Sequence, residues 1–273
     1  MDNVWLILNR GSRAVGDDWE AVLVATFEAR GWSVAGTIDF PDDALPSGNM
    51  LDTAHVAMVA VAAGDGTINA VARELDSSGG TLLVLPGGTM NLLAKALHGS
   101  TDPAAIIAAV ADLPKAGPIA TVDSGEHRAL VGAVLGPGAS WVHAREAVRT
   151  GRWNRLRRAL RFAYLRTLSH AVRLCEGQRW SKGYRAVFVH PGDTALSVVK
   201  VRLSGWTDGV RLGFGYLTGK WETARGIETM QTGTLQLADD RPTFALFYGE
   251  PLRLAPDAVL TAGRTRLKFV TTL

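Results

Sequence analysis

The chain has a single cysteine, Cys175, among 273 residues. One thiol excludes an internal disulfide. The six histidines (His55, His98, His127, His143, His170 and His190) show no metal-ligand spacing with it, which argues against a structural zinc site. Long apolar runs are missing too: nothing approaches the roughly 18 residues that span a bilayer. Met-Asp-Asn leads straight into an apolar run with no basic n-region or cleavage site, so no signal peptide is expected and a reducing cytoplasm is the simplest location. Net charge is low, +3 from 29 basic and 26 acidic residues. Long linkers, low-complexity tracts and internal repeats are absent, apart from two similar glycine-rich turns. What the chain does have is 30 glycines and 47% hydrophobic residues, enough to build one large core or two smaller ones.

The low net charge hides a segregation. Between Arg145 and Arg185 stand twelve Arg or Lys against Glu146 and Glu176, so the rest of the chain is net acidic. The pattern of elements divides as well. Up to about residue 118, apolar β-branched runs alternate with helical spacings: "VWLILN", "DDWEAVLVATFEARG", "WSVAGTIDF", "HVAMVAVAA", "TINAVAREL", "TLLVLP", "MNLLAKAL" and "DPAAIIAAVADL". Alternation of this kind predicts an α/β domain with a parallel sheet wrapped by helices. In the last of these segments Asp102 is placed as N-cap and Pro103 as the first helical residue. Beyond Pro118 the chain reads as a hairpin around Ser124-Gly125, then an arginine-rich helical stretch from about Trp141 to Cys175. Short β runs from Tyr184 onward suit a sandwich or barrel. The expected organisation is an α/β nucleotide-binding domain over 1–118 and a mainly β domain, a sandwich with an inserted basic helix, over 119–257.

Two turns carry the chemistry. "AAGDGT" and "PGGT" each leave an apolar strand and enter a helical pattern. A loop between a parallel strand and a helix presents backbone N–H groups and the positive end of the helix dipole, which favours phosphate. Glycines are expected there to allow positive φ and close approach to an anion, with Thr67 and Thr89 as helix N-caps. Neither loop matches the Walker pattern or the dinucleotide fingerprint.

"GDGTINAVA" and "LPGGTMNLLAKAL" resemble the two signature loops of the diacylglycerol kinase catalytic domain family, which includes bacterial lipid kinases and sphingosine kinases and is related in fold to NAD kinases. "LNRGSR" is similar to the family's N-terminal turn, with Asn9 and Ser12 matching, and "YGEPLRL" lies where the family has Asp-Gly-Glu-Pro. The resemblance implies Mg2+-ATP as phosphoryl donor and a lipid hydroxyl as acceptor. It implies a nucleotide site shaped by Asn9, Ser12, Gly64, Gly66, Thr67, Gly87, Gly88, Thr89 and Asn91. Asp65 is the implied organiser of phosphates and Mg2+, hence the metal ligand and one catalytic residue. It also implies that the segment from about 258 to 273 packs back on the first domain.

Four departures from the family pattern stand out. Ala63 replaces the first glycine of the usual quartet, and Arg10, Gly11 and Arg13 alter the N-terminal turn. Leu92 follows Asn91 where diacylglycerol kinases commonly carry Asp, as in the sphingosine-kinase-like branch. Tyr248 replaces the family aspartate that accepts the hydroxyl proton, and a phenol is a poor base at neutral pH. Three readings remain open: Glu250 serves as base and second catalytic residue, another acid such as Asp208 reaches in, or catalysis is weak or absent.

Between Trp153 and Leu168, apolar residues recur at three- and four-residue steps between arginines. With Arg152, Trp153, Arg155, Arg158 and Arg161 this amphipathic stretch suits an anionic membrane surface. Packing against the second domain is the competing reading, and no nucleic-acid module accompanies it. The expected protein is therefore a cytoplasmic lipid kinase with peripheral membrane contact, its partners a lipid substrate and a second copy of the chain, with no nucleic acid. Its alternatives are a catalytically silent nucleotide or lipid sensor and, less favoured, a soluble-substrate kinase of NAD kinase type.

Overall fold

The computed structural model describes residues 3–11, 18–110, 114–136, 171–176, 179–180, 183–202, 226–247 and 250–273. The chain divides into two compact units, one of Met1–Ala120 with Arg264–Leu273, the other of Thr121–Gly263. The boundaries expected from sequence were 118 and 257.

In the first unit, β1 (Asn3–Leu8), β2 (Ser33–Asp39), β3 (Val56–Ala63) and β4 (Thr81–Pro86) are parallel neighbours in the order β2-β1-β3-β4. The helices are α1 (Trp19–Ala29), α2 (Gly48–Thr53), α3 (Asp65–Leu75), α4 (Leu92–His98) and α5 (Pro103–Ala109). β3 is buried from Met58 to Ala63, as a central strand covered on both faces requires. One face packs Leu6, Leu8, Ala60, Ala62, Leu83 and Leu85 against Leu23 and Phe27 of α1 and Ile106 and Ile107 of α5. Asp102 caps α5 by accepting from the Ala104 N–H at 3.0 Å, with Pro103 at the first position, as its sequence dictates. The sequence reading has no counterpart of α2, a six-residue helix opened by Ser47, whose hydroxyl accepts from the Met50 N–H. No residue of α2 is buried, so no apolar period marks it.

The later strands are β5 (Ala116–Ser124), β6 (His127–Ala129), β7 (Ala133–Leu135), β8 (Leu174–Glu176), β9 (Arg179–Trp180), β10 (Ala186–His190), β11 (Leu196–Val201), β12 (Ile227–Thr232), β13 (Thr234–Leu237), β14 (Thr243–Phe247), β15 (Glu250–Leu254) and β16 (Val259–Val270). In the second unit β12-β11-β10-β7-β14-β15 form one antiparallel sheet, while β13 pairs antiparallel with β8 and with the start of β16. A single core draws on both sets, with Val187, Val198, Ala245 and Leu254 beside Leu174, Leu235, Leu237 and Leu260. The unit is mainly β, as expected. β5 and β6 form the hairpin around Ser124-Gly125 (Ser124 opposite His127, Gly125 at φ +56°). The end of β16 returns to the first unit, where Lys268 and Phe269 pair parallel with Thr81 and Leu82 of β4.

The arginine-rich helical reading fails at its far end. Leu174 and Cys175 belong to β8, opposite Leu237 and Gln236. Val172 and Leu174 are buried while Arg173 and Cys175 are exposed, so the period there is two, not 3.6. The rest of that stretch, including Arg152, Trp153, Arg155, Arg158 and Arg161, lies outside the described residues.

Candidate functional site

β1, β3 and β4 are adjacent and parallel, so the segments that follow them emerge at one end of the sheet, the carboxyl end at which open α/β sheets place ligands. After β1, the Asn9 side-chain N–H donates to the Thr67 hydroxyl at 2.7 Å, tying the first turn to the first helical turn of α3. Arg10 faces away from that contact. Its N–H donates to Asp39 Oδ1 at 2.9 Å, and its guanidinium pairs with Asp39 (3.2 Å) and Glu20. That guanidinium is half exposed, so the pairs hold geometry more than they add stability.

After β3 the helix begins at once. Gly64, extended at φ −78° and ψ 162°, is the N-cap of α3 and has no side chain with which to cap. The Ile68 N–H bonds the Gly64 carbonyl at 3.0 Å, which leaves the amides of Asp65, Gly66 and Thr67 without an acceptor inside the helix. Three donors and the positive end of an eleven-residue helix dipole thus converge beside the β1 turn.

After β4 the backbone folds on itself instead. The Gly87 N–H donates to the Ala63 carbonyl at 2.9 Å, and the Gly88 N–H donates to the Asn91 side-chain carbonyl at 2.8 Å. Asn91 is left-handed (φ 49°, ψ 45°), a conformation asparagine tolerates better than most residues, and it precedes α4. The N–H groups of Leu92 and Leu93, the first two residues of α4, donate to the two oxygens of the Asp65 carboxylate at 3.1 and 3.2 Å.

The glycines of this pair have a steric role that differs from the expected one. None of Gly64, Gly87 or Gly88 has positive φ. A Cβ on Gly88 would stand 2.5 Å from the Gly64 Cα, and one on Gly87 would stand 2.8 Å from both the Ala63 nitrogen and the Trp19 ring. The glycines let two backbones touch. Nor are the threonines N-caps: Gly64 and Asn91 hold those positions, because α3 starts two residues before Thr67 and α4 three after Thr89.

Residues 3–124 match the family model of the diacylglycerol kinase catalytic domain. The match runs from β1 through β5 and includes all three turns. The whole chain is similar in fold to three solved structures from Bacillus anthracis str. Sterne. One described as a diacylglycerol kinase has TM-score 0.63 at 15% identity, with 99% of this chain and 97% of that one covered. Two described as putative diacylglycerol kinases have TM-scores 0.68 and 0.66 at 16% and 15% identity, with the same coverage. At these identities the likeness is one of fold. No curated protein matches the chain significantly.

Of the residues expected to shape a nucleotide site in such a domain, the structure brings together Asn9, Gly64, Asp65, Gly66 and Thr67 around the start of α3. Gly87, Gly88 and Asn91 stand on the turn packed against it, with Thr89 in the same turn. Ser12 lies outside the described residues, as do Tyr248 and Asp208; Glu250 is placed as the first residue of β15, paired with Phe247. The sequence reading missed Arg10 with Glu20 and Asp39, Trp19 against Gly87, and the partners of Asp65. Only Asn91 carried a readable signal, since an asparagine just before a helix marks a left-handed or capping position.

The divalent cation the family implies finds a poor fit in these side chains. Each Asp65 oxygen already accepts a backbone N–H, and no three His, Cys, Asp or Glu side chains gather among the described residues.

Proposed function

We propose that the chain is a lipid kinase that transfers the γ-phosphoryl of ATP to a hydroxyl of a diacylglycerol-like or sphingoid lipid. The observation that carries this reading is the uncapped start of α3 beside the Asn9 turn, within a diacylglycerol kinase domain match. Three backbone donors and a helix dipole suit a phosphate chain. Phosphoryl transfer through a loose transition state depends chiefly on positioning and charge neutralisation, so Tyr248 in place of an acid slows the reaction rather than forbidding it. Glu250 is the proposed proton acceptor. The arginine-rich stretch at Arg152, Trp153, Arg155, Arg158 and Arg161 is the proposed contact with anionic headgroups and fits a peripheral enzyme. No helix among the described residues is long and apolar enough to cross a membrane.

The test is transfer of label from γ-labelled Mg2+-ATP to a panel of diacylglycerol, sphingoid bases and NAD, run with neutral and with anionic vesicles. Labelled lipid, more with anionic vesicles, supports the kinase. Nucleotide binding without transfer supports the silent sensor, the reading that Tyr248 favours. Label on NAD sinks the lipid assignment.

A further inference from the structure

Asp65 is the acid that a kinase reading assigns to metal and phosphate, yet its carboxylate points at a protein target. It is the first residue of α3, and both its oxygens accept backbone N–H groups from α4, the next α-helix in the chain. Asn91, the N-cap of α4, does not cap that helix with its own side chain, because its carbonyl is taken by the Gly88 N–H. The capping of α4 has passed to a residue 27 positions earlier. The same junction holds the Gly87 to Ala63 hydrogen bond and the Gly64 to Gly88 backbone contact.

We infer that Asp65 is a positioning residue, a long-range N-cap that locks the β4 turn and α4 onto the start of α3, and that it does not serve as a ligand to the divalent cation. This rests on the nucleotide-site reading above. Through Asp65 the second loop acts as a buttress: it fixes where the three donors of α3 point, and a ligand meets that arrangement already formed. Without the cap the loop pair must be reordered on binding, and the fraction of competent molecules falls by the corresponding factor.

The chemistry of the two roles separates in one substitution. Asparagine keeps one of the two acceptor oxygens and turns its NH2 toward the other amide, so it retains about half of the cap, whereas alanine retains none, and asparagine lacks the charge a Mg2+ ligand needs. The experiment measures Mg2+-ATP affinity by calorimetry, its dependence on Mg2+ concentration, and melting temperature, for the wild type, Asp65→Asn and Asp65→Ala. The expected result is that Asp65→Asn binds within about threefold of wild type at an unchanged Mg2+ midpoint, while Asp65→Ala binds about five- to tenfold more weakly and melts lower. Loss in Asp65→Asn equal to that in Asp65→Ala, or a Mg2+ midpoint moved about tenfold, overturns the inference, as does wild-type behaviour in both variants. If the wild type binds no Mg2+-ATP, the nucleotide reading fails instead. The melting order still decides the cap, which stands only if Asp65→Asn melts above Asp65→Ala.

Discussion

The turn after β3 and the turn after β4 share glycines, a threonine and a following helix, but they dispose of their backbone donors in opposite ways. The first turns straight into α3 with Gly64 as a cap without a side chain, and leaves the Asp65, Gly66 and Thr67 amides with no acceptor in the helix. The second satisfies itself: Gly87 donates to Ala63, Gly88 to Asn91, and Leu92 and Leu93 to Asp65. A repeated motif is thus one open turn and one brace. Glycine serves different ends in the two, a bare cap in the open turn and closeness of backbones in the brace.

The sharpest way to break that comparison is to add one methyl to each. Gly88→Ala puts a Cβ 2.5 Å from the Gly64 Cα, backbone against backbone, and is expected to cost about 1–3 kcal/mol and at least about tenfold in nucleotide affinity. Gly64→Ala at the same contact places its Cβ 3.6 Å from the Gly88 Cα, on a backbone alanine adopts freely, so only the poorer cap is felt, about 1 kcal/mol or less. Thermal melts of the pair check this; equal losses would mean the two loops are not asymmetric. Asn91→Ala comes next, losing the acceptor for Gly88 and forcing alanine into a left-handed backbone, about 2 kcal/mol in all. Asn91→Gly keeps the backbone free and should recover about half of it in denaturant melts.

The smallest effect concerns the far end of the brace. His98 closes α4, its Nδ1 3.1 Å from the Thr272 hydroxyl, while Thr271 Oγ1 and the Thr272 N–H donate to the Leu97 carbonyl. Burial lowers the His98 pKa from the usual 6.5, with the nearby Val84 backbone opposing it in part. The unfolded chain therefore takes up the proton first, so the contribution is intact above pH 6.5 and declines as pH falls below it. Melting temperature should drop between pH 6.5 and 5, less steeply in His98→Gln; an equal slope in the variant would assign the drop to other groups.

The α/β alternation was legible because β3 and β4 are continuous apolar runs and α3 keeps its buried residues, Ile68, Val71, Ala72 and Leu75, at helical spacing. The positions of the two turns were legible for the same reason, since glycines after such strands mark where the strand ends and the helix begins. What they do there was not. Whether a glycine serves an anion or a neighbouring backbone depends on a contact 24 residues away in the chain, between Gly64 and Gly88, and the carboxylate of Asp65 finds its partners 27 and 28 residues on. Leu174 and Cys175 were misread as helix because an apolar residue followed by a small one fits either period until the pairing with β13 is known. Local pattern names elements well and assigns partners poorly.

The course of the chain through the two units also bears on how the protein could be taken apart. The first unit is interrupted at Ala120 and resumes at Arg264. The two stumps meet within it, for the Ile119 N–H donates to the Thr265 hydroxyl at 3.0 Å, and Asp76 receives the N–H groups of Arg266 and Leu267 at 2.8 and 3.1 Å. In topological terms the second unit is an insertion whose entry and exit are neighbours. Excision of 121–263 with a short glycine-serine bridge would join strands already side by side, and would ask whether the first unit is a separable part.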